Sequence, residues 1–148
     1  MSVPSATRSL TMAADTAFLH EATEFVRTGA LEASLPETRI GELDLLIEEI
    51  FMNVCAHAYP EGRHGVVTLS YTVPAPGELS VEVADQGAEF NPLTAPPPDI
   101  TLNLESRPIG GLGIFLVKAL APTISYRRDR DWNRLTFGIS AGVSAADS

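Results

Sequence analysis

Three polar residues recur at four-residue intervals in a stretch of the chain that is otherwise rich in apolar residues. They are Glu49, Asn53 and His57. Because an α-helix turns once in about 3.6 residues, this spacing places all three side chains on one helix face. A carboxylate, an amide and an imidazole are the ligand and base types that a site for Mg²⁺ and a nucleotide uses. The spacing therefore predicts a helix that forms the wall of a cleft.

The helix itself offers an alternative interpretation of the triplet. With the buried stripe centred on Leu43, the three residues fall along one flank of that stripe. Any isolated pair of them is better interpreted as solvated residues at the edge of an amphipathic helix. Glu48, on the opposite flank, is interpreted as a surface charge. Cys55 has no basic neighbour in sequence, so we interpret it as a thiol at the edge of the core rather than a nucleophile.

A carboxylate and a glycine follow an alternating strand pattern in the run Asp85-Gln86-Gly87. Asp and Gly also form turns, so the motif alone fits a simple turn equally well. In a binding site, a buried carboxylate accepts a hydrogen bond from the adenine amine and repels the carbonyl of guanine. Gly87 would let the backbone approach a flat base. Phe90 is interpreted either as a residue under a lid or as an ordinary loop anchor.

A second glycine-rich run, Gly110-Gly111-Leu112-Gly113, precedes a predicted helix. Free backbone amides and the helix dipole favour phosphate at such a position. The run is not a dinucleotide-binding fingerprint or a Walker A loop, because the third glycine and the Gly-Lys-Ser/Thr sequence are missing. The alternative is a flexible hinge that enters a helix. Arg107 and Lys118 flank the run and could neutralise phosphates, or could be surface charges.

These motifs need a scaffold, and the patterns predict the order strand, helix, helix, strand, strand, lid, helix, strand, strand. The first helix is predicted from Asp15 to about Ala30, and the last at residues 112–120. The long second helix is predicted to begin at a capping box of Ser34 and Glu37 and to stop at Pro60. The strands are predicted at residues 8–12, 66–73, 79–84, 123–128 and 134–139.

Consecutive hairpins in this order predict a mixed, mostly antiparallel sheet with the helices on one face, which is an α/β two-layer sandwich. The proline-rich segment from residue 91 to 108 predicts a long loop, and such loops are functional lids or disordered. We therefore expect a flexible tail at residues 1–7, one domain at 8–140 with a lid at about 93–108, and a second tail at 141–148.

Composition limits the classes of partner. The 148 residues carry a net charge of −9, which argues against nucleic acid and against an anionic membrane surface. The single cysteine excludes an internal disulfide and suits a reducing compartment. No apolar run approaches the length of a membrane span, and the first residues lack the apolar core of a signal peptide. A soluble cytoplasmic protein is expected.

In this order the three motifs resemble the N, G1 and G2 boxes of Bergerat-fold (GHKL) ATP-binding domains, shared by gyrase, histidine kinases, the MutL repair protein and a heat-shock chaperone. The likeness is closest to stand-alone anti-sigma factors that are serine kinases. Residues 49–59 resemble their pattern Glu-x-x-x-Asn-x-x-x-His-Gly/Ala-Tyr, and residues 85–92 resemble Asp-x-Gly-x-x-Phe-x-Pro. Residues 110–117 resemble the start of their G2 helix. The resemblance covers about residues 8–140.

The resemblance implies a histidine-kinase-like ATPase fold and a role for each motif. Glu49 would be the general base, and Asn53 would hold the Mg²⁺ that bridges the phosphates of ATP. Asp85 would read adenine, with Gly87 making room, and residues 93–108 would form the ATP lid. The other positions implied to bind ATP are His57, Phe90, Arg107, Gly110, Gly111, Leu112 and Gly113.

The chain departs from the family pattern at two places. Pro108 and Ile109 stand where members of this branch can place a basic residue, which puts the γ-phosphate contact and the kinase rate in question. Arg107 is the neighbouring basic residue that would substitute. Ala58 replaces the more frequent glycine after His57.

The resemblance implies an ATP-dependent serine/threonine protein kinase of the anti-sigma type. Such a kinase would phosphorylate a STAS-type antagonist in a partner-switching module and sequester a sigma factor when the antagonist is absent. The resemblance is also compatible with a homodimer. The alternative is a module that binds ATP and a protein partner without catalysis.

Overall fold

Two long helices and five strands make up the computed structural model, which describes residues 6–60, 65–94, 117–121 and 123–141. The helices are α1 (Leu19–Glu32) and α2 (Glu37–His57), and residues 117–120 are also helical. The strands are β1 (Arg8–Ala13), β2 (Val66–Ala75), β3 (Glu78–Asp85), β4 (Ser125–Asp129) and β5 (Trp132–Ser140). No described helix is long and apolar enough to cross a membrane.

The strands form one sheet in the order β1-β2-β3-β5-β4. Every pair of neighbouring strands is antiparallel, and β2–β3 and β4–β5 are hairpins. The predicted α/β two-layer class is confirmed. The prediction of a mixed, mostly antiparallel sheet is refined, because the described strands are antiparallel throughout.

One face of this sheet is apolar, and the helices cover it. Alternate residues of β3 and β5 are buried there, including Leu79, Val81 and Phe137. The opposite face carries hydroxyl pairs between β1 and β2, with Ser9 and Ser70 2.9 Å apart and Thr11 and Thr68 2.8 Å apart. A period of two in burial therefore separates the helix-covered face from the polar face.

Helix α1 lies close to β2 because it has a glycine at the contact. A Cβ on Gly29 would lie 2.7 Å from the ring of Tyr71, so any larger residue would push the helix away. The Phe25 ring packs on the same tyrosine with 5.0 Å between centroids. Helix α2 fills the centre of the core with Leu43, Leu46, Ile47, Ile50 and Phe51.

The ends of the helices differ in part from the prediction. Asp15 does act as a cap, with Oδ1 accepting from the Ala17 amide at 2.9 Å, but the turn it caps is a 3-10 turn before α1. The predicted capping box at the start of α2 is wrong, because Pro36 is the N-cap and makes no side-chain capping bond. Ser34 has a φ of 61° and belongs to the turn that ends α1. The left-handed backbone at Ser34 lets the amide of Leu35 reach the Ala30 carbonyl at 3.0 Å.

Candidate functional site

A pocket that opens to solvent lies between α2 and the ends of β3, β4 and β5, with about 420 Å³ of empty space when the part continuous with solvent is included. Its walls include the apolar side chains of Ile50, Val54, Val83 and Leu135. Its polar lining comes from α2, from Asp85 at the end of β3, and from the second hairpin. A mostly apolar pocket with a few convergent polar groups is typical of a small-molecule site.

The part of α2 that carries Asn53 and His57 forms one wall of the pocket. Asn53 and His57 line the pocket, whereas Glu49 lies one turn earlier on the same helix, outside the pocket lining. The side chains of Glu49 and Asn53 make no hydrogen bond to another residue in the described part of the chain, so these groups are available there to a ligand. The exposed His57 ring lies 5.9 Å from the Phe90 ring, which links the end of α2 to the loop after β3.

Asp85 is buried at the end of β3, with 7% of its surface exposed. Its Oδ1 accepts hydrogen bonds from the Gly87 amide at 2.8 Å and from Asn133 Nδ2 at 2.9 Å. Its Oδ2 accepts none from the described residues. A buried carboxylate oxygen without a donor is costly, so the pocket favours a ligand that donates a hydrogen bond at this point.

Gly87 is packed against the end of α2. A Cβ at this position would lie 2.0 Å from the Ala58 carbonyl oxygen, and the neighbouring Ala88 amide donates to that oxygen at 3.3 Å. The structural requirement for glycine is therefore contact with the α2 backbone. The predicted close approach of Gly87 to a base stays a prediction, and Gly87 does not line the pocket itself.

Three residues of the second hairpin that sequence reasoning missed hold the loop after β3. Asn133 is buried, with 6% of its surface exposed, and bonds to Asp85 and to the loop backbone. Tyr126 donates its hydroxyl proton to Asn133 Oδ1, and Arg128 Nη1 donates to the Gly87 carbonyl at 2.8 Å. One signal was present in the sequence, since Asn133 is in phase with the inward-facing apolar residues of β5. A polar residue in that phase needs buried partners.

Tyr59 fastens the end of α2 to the sheet. Its hydroxyl donates to the Val66 carbonyl at 2.6 Å and accepts from the Gln86 amide at 2.8 Å. Burial, more than the nearby Asp85 charge, raises the pKa of Tyr59 and keeps the hydroxyl protonated. The hydroxyl thus connects the first residues of β2 with the loop that carries Asp85.

Several predicted positions lie outside the described residues: Arg107, Gly110, Gly111, Leu112 and Gly113, most of the lid at 93–108, and most of both tails. Lys118, the lysine beside the second glycine run, is among the described residues. Its ammonium group contacts a backbone carbonyl in the described part of the chain. Lys118 Nζ donates to the Leu93 carbonyl and so joins the two described ends of the chain that flank residues 95–116.

The described residues fit ATP and Mg²⁺. The acceptor at Asp85 suits the adenine amine, and the apolar walls suit the purine ring. No group of three His, Cys, Asp or Glu side chains in the described part of the chain could hold a metal ion. Mg²⁺ needs no such group, because with nucleotides it takes one or two protein oxygens and fills its remaining positions with phosphate and water oxygens. Asn53 can supply one of those oxygens, with the Glu49 carboxylate a turn away.

Comparison with known proteins identifies similar chains. A family model described as a histidine kinase-like ATPase domain matches residues 12–139. The serine/threonine-protein kinase BtrW of Bordetella bronchiseptica is 31% identical over 94 residues, which cover 64% of this chain and 66% of that protein, just under two thirds. The serine-protein kinase RsbW of Listeria monocytogenes is 29% identical over 117 residues, 72% of this chain and 74% of that protein.

Proposed function

The chain belongs to the histidine kinase-like ATPase family, and from this premise we propose that it transfers phosphate from ATP to a serine or threonine of a partner protein. The observation that carries the proposal is the order of the polar side chains along the pocket and α2. At one end stands the buried Asp85, with one carboxylate oxygen that accepts no hydrogen bond from the described residues. Asn53 of α2 lines the pocket further along, and Glu49 lies one turn beyond Asn53, outside the pocket lining. The two relatives named as protein kinases support the same activity.

The direction of α2 gives the orientation of the nucleotide. Its C-terminal end at Ala58 packs against the loop of Asp85, so adenine binds at that end. Glu49 lies nine residues earlier, about 13 Å along the helix axis at 1.5 Å per residue. That separation suits a triphosphate that extends from the base toward Glu49.

In the proposed reaction, the hydroxyl oxygen of the substrate attacks the γ-phosphorus of ATP. The bond from that phosphorus to the β,γ-bridging oxygen breaks, ADP leaves, and the hydroxyl proton passes to the Glu49 carboxylate. Asp85 would hold the base and Asn53 would hold Mg²⁺, so the chain contributes mainly the positions of the reacting groups. A bound Mg²⁺ would neutralise the charge on the phosphates.

The proposed partner is a STAS-type antagonist, with a sigma factor as the sequestered protein, which would make the chain a regulator of transcription. The charge distribution supports a partner with a basic surface. Helices α1 and α2 carry eight acidic side chains against two arginines, so most of the net charge of −9 lies on the helical layer. Complementary charge on a partner speeds encounter and selects orientation.

Phosphate transfer from labelled ATP to a candidate antagonist, followed with Glu49→Gln, tests the proposal. The variant keeps the shape of the side chain but cannot accept the proton, and loss of a general base costs about 10²–10⁴-fold in rate. Nucleotide affinity should stay unchanged. Glu48→Gln is the matched control, because Glu48 is exposed on the other flank of α2. This variant should transfer phosphate at the wild-type rate.

Two results would contradict the proposal in different ways. Unimpaired transfer by Glu49→Gln would remove Glu49 from the chemistry. A wild-type protein that binds ATP and the antagonist without transfer would favour the alternative, a regulatory module that sequesters its partner without catalysis.

A further inference from the structure

We infer that the solvent-facing side of α2 is the docking surface for the protein that accepts the phosphate, and that this protein presents a helix whose apolar stripe runs between basic side chains. The surface, called the α2 ridge below, consists of Gly41, Leu45, Met52 and Ala56. The inference rests on the proposed phosphate transfer and names the surface that would bring a substrate hydroxyl to Glu49.

The α2 ridge is apolar on the side where a surface helix is usually most polar. At about 100° per residue, Leu45 and Met52 lie about 160° and 180° around the helix from the buried Leu43. Leu45 is 36% exposed, and Met52 is half-buried. An amphipathic helix normally carries charged or polar residues on this side. Because Leu45 points away from the core, the core does not account for an apolar side chain at this position, and a partner surface does.

Gly41 extends the ridge toward the start of α2 and leaves the helix backbone open there. A Cβ at this position would meet nothing within 4 Å. Glycine inside a helix is less favourable than alanine, so the stability of α2 alone would favour a larger residue. The distance between two packed helices depends on the size of the side chains at their contact, so an exposed glycine allows a second helix to come close. The shape of the ridge therefore fits a helix of the partner.

The ridge borders the proposed general base. Leu45 lies four residues before Glu49 and Met52 three residues after it, so both are its neighbours on the helix surface. The neighbour of Glu49 on the other side is Asn53, which lines the pocket. With the nucleotide on the side of Asn53, a substrate hydroxyl reaches Glu49 from the side of the ridge. A protein that delivers this hydroxyl therefore covers Leu45 and Met52.

Carboxylates border the ridge on both sides. Glu49 lies on the pocket flank, and Glu37 and Glu48 lie on the opposite flank. None of the three forms an ion pair with another described residue. An apolar line between unpaired carboxylates favours a partner helix that carries lysine or arginine beside its apolar stripe. The same charges oppose an acidic partner, and the acidic helical layer of a second copy of this chain is such a partner.

A synthetic peptide tests the ridge without nucleotide or substrate. The peptide repeats Ala-Leu-Lys-Lys-Ala-Leu-Lys to a length of about 20 residues, so that an isolated helix can form. Its control carries glutamate in place of every lysine. By titration calorimetry on the full chain, we expect the lysine peptide to bind about tenfold more tightly than the glutamate peptide, or more. The amide NMR signals of residues 41–56 should shift on binding.

Leu45→Gln locates the binding on the ridge. Glutamine keeps the helix propensity but removes apolar surface, so we expect the affinity for the lysine peptide to fall about five- to tenfold. Leu10→Gln is the matched control, because Leu10 is 37% exposed but lies in β1 at the edge of the sheet. This variant should bind the peptide like the wild type. In phosphate transfer, Leu45→Gln should raise the KM for the protein substrate and leave kcat and the KM for ATP unchanged.

Equal binding of the two peptides, or an unchanged affinity of Leu45→Gln, would overturn the inference. A wild-type dimer that Leu45→Gln dissociates in analytical ultracentrifugation would also overturn it, because a second copy would then cover the ridge. The proposed function fails separately. Peptide binding at the ridge without any phosphate transfer would support the docking surface and refute the kinase. Phosphate transfer by Leu45→Gln with the wild-type KM for the protein substrate would support the kinase and refute the docking surface.

Discussion

Asp85 shows how strongly one side chain depends on residues distant in sequence. Its carboxylate is held by Asn133, 48 positions later, and the loop beside it is held by Arg128. A buried carboxylate oxygen is costly unless it accepts hydrogen bonds, so these donors stabilise the side chain in its place. The position of the carboxylate that we propose to read adenine is therefore set by the second hairpin as much as by β3.

Cys55 gives a prediction at the scale of one residue. Burial, with the Asp15 carboxylate adding to it, raises the pKa of the Cys55 thiol from 9.0 to about 11. At pH 8 the thiolate fraction is then about 100-fold lower than in the unfolded chain. A thiolate of higher pKa is also a stronger nucleophile, which offsets about tenfold of this loss in rate. The folded protein should therefore react with a disulfide reagent such as DTNB about tenfold more slowly than the same protein in urea.

The same shift predicts the direction of a pH effect on stability. A thiol whose pKa is higher in the folded state contributes stability below the unfolded pKa of 9 and loses it as the pH rises through 11. The free energy of unfolding should fall across this pH range. In Cys55→Ala the free energy of unfolding should fall less steeply. Equal DTNB rates in the folded and unfolded chain at pH 8 would contradict the assignment of Cys55 as a protected thiol.

At the scale of elements, α2 carries two functions along its length. Its apolar stripe fills the core, and its flank presents Asn53 and His57 to the pocket. The C-terminal end of the helix then meets the loop after β3 with almost no space between backbones, since Gly87 lies against Ala58. The position of the Asp85 loop is therefore set by the end of α2.

Gly87→Ala tests this contact. The added Cβ would lie 2.0 Å from a backbone oxygen that cannot rotate away, so the loop or the helix end must move. We expect a loss of about 1–3 kcal/mol in the free energy of unfolding, measured by urea denaturation, and weaker nucleotide binding. Gly41→Ala, within α2, is the control. Its Cβ would meet nothing within 4 Å, so it should stabilise the protein by about 0.5–1 kcal/mol.

A neutral Gly87→Ala would show that the loop and the end of α2 are not closely packed in solution. A destabilising Gly41→Ala would show that Gly41 faces a neighbouring group instead of open space.

At the scale of the whole molecule, the sheet brings together three segments that lie far apart in the chain. The ends of β3 and β5 meet in register at Asp85 and Asn133, and α2 crosses above them. The polar face of the sheet and the acidic helical layer lie on opposite sides. This arrangement leaves the pocket between the helix layer and one end of the sheet.

Thermal unfolding with and without Mg-ATP tests the assembled pocket. A ligand at 100 times its Kd stabilises the folded state by about 2.7 kcal/mol, which corresponds to a rise of several degrees in the Tm of a chain of this size. We expect Asp85→Ala to abolish the rise in Tm. We expect Asn53→Ala to reduce the rise that Mg-ATP produces. Glu48→Ala should retain it. An unchanged Tm of the wild-type protein would contradict nucleotide binding altogether.

Much of the fold was predictable because it depends on local periodicity. The inward phases of β3 and β5, both hairpins and the helical face of Glu49, Asn53 and His57 all follow from spacing alone. The start of α2 at an N-cap of Pro36 was not predictable, because Ser34, the predicted cap, belongs to the turn that ends α1. Propensity at a helix end gives way to the path that the chain must take.

The sequence by itself determined the two-layer class, the polar face of α2 and the presence of Asp85 at a strand end, because residue types and periods specify these features. Only the tertiary structure decided that Asn133, Tyr126 and Arg128 hold the Asp85 loop, and that Gly87 is required by Ala58. The contacts Asn133–Asp85, Arg128–Gly87 and Gly87–Ala58 join residues 29 to 48 positions apart. Hydrogen bonds and close packing act through space, so no local pattern in the chain specifies which distant residues will meet.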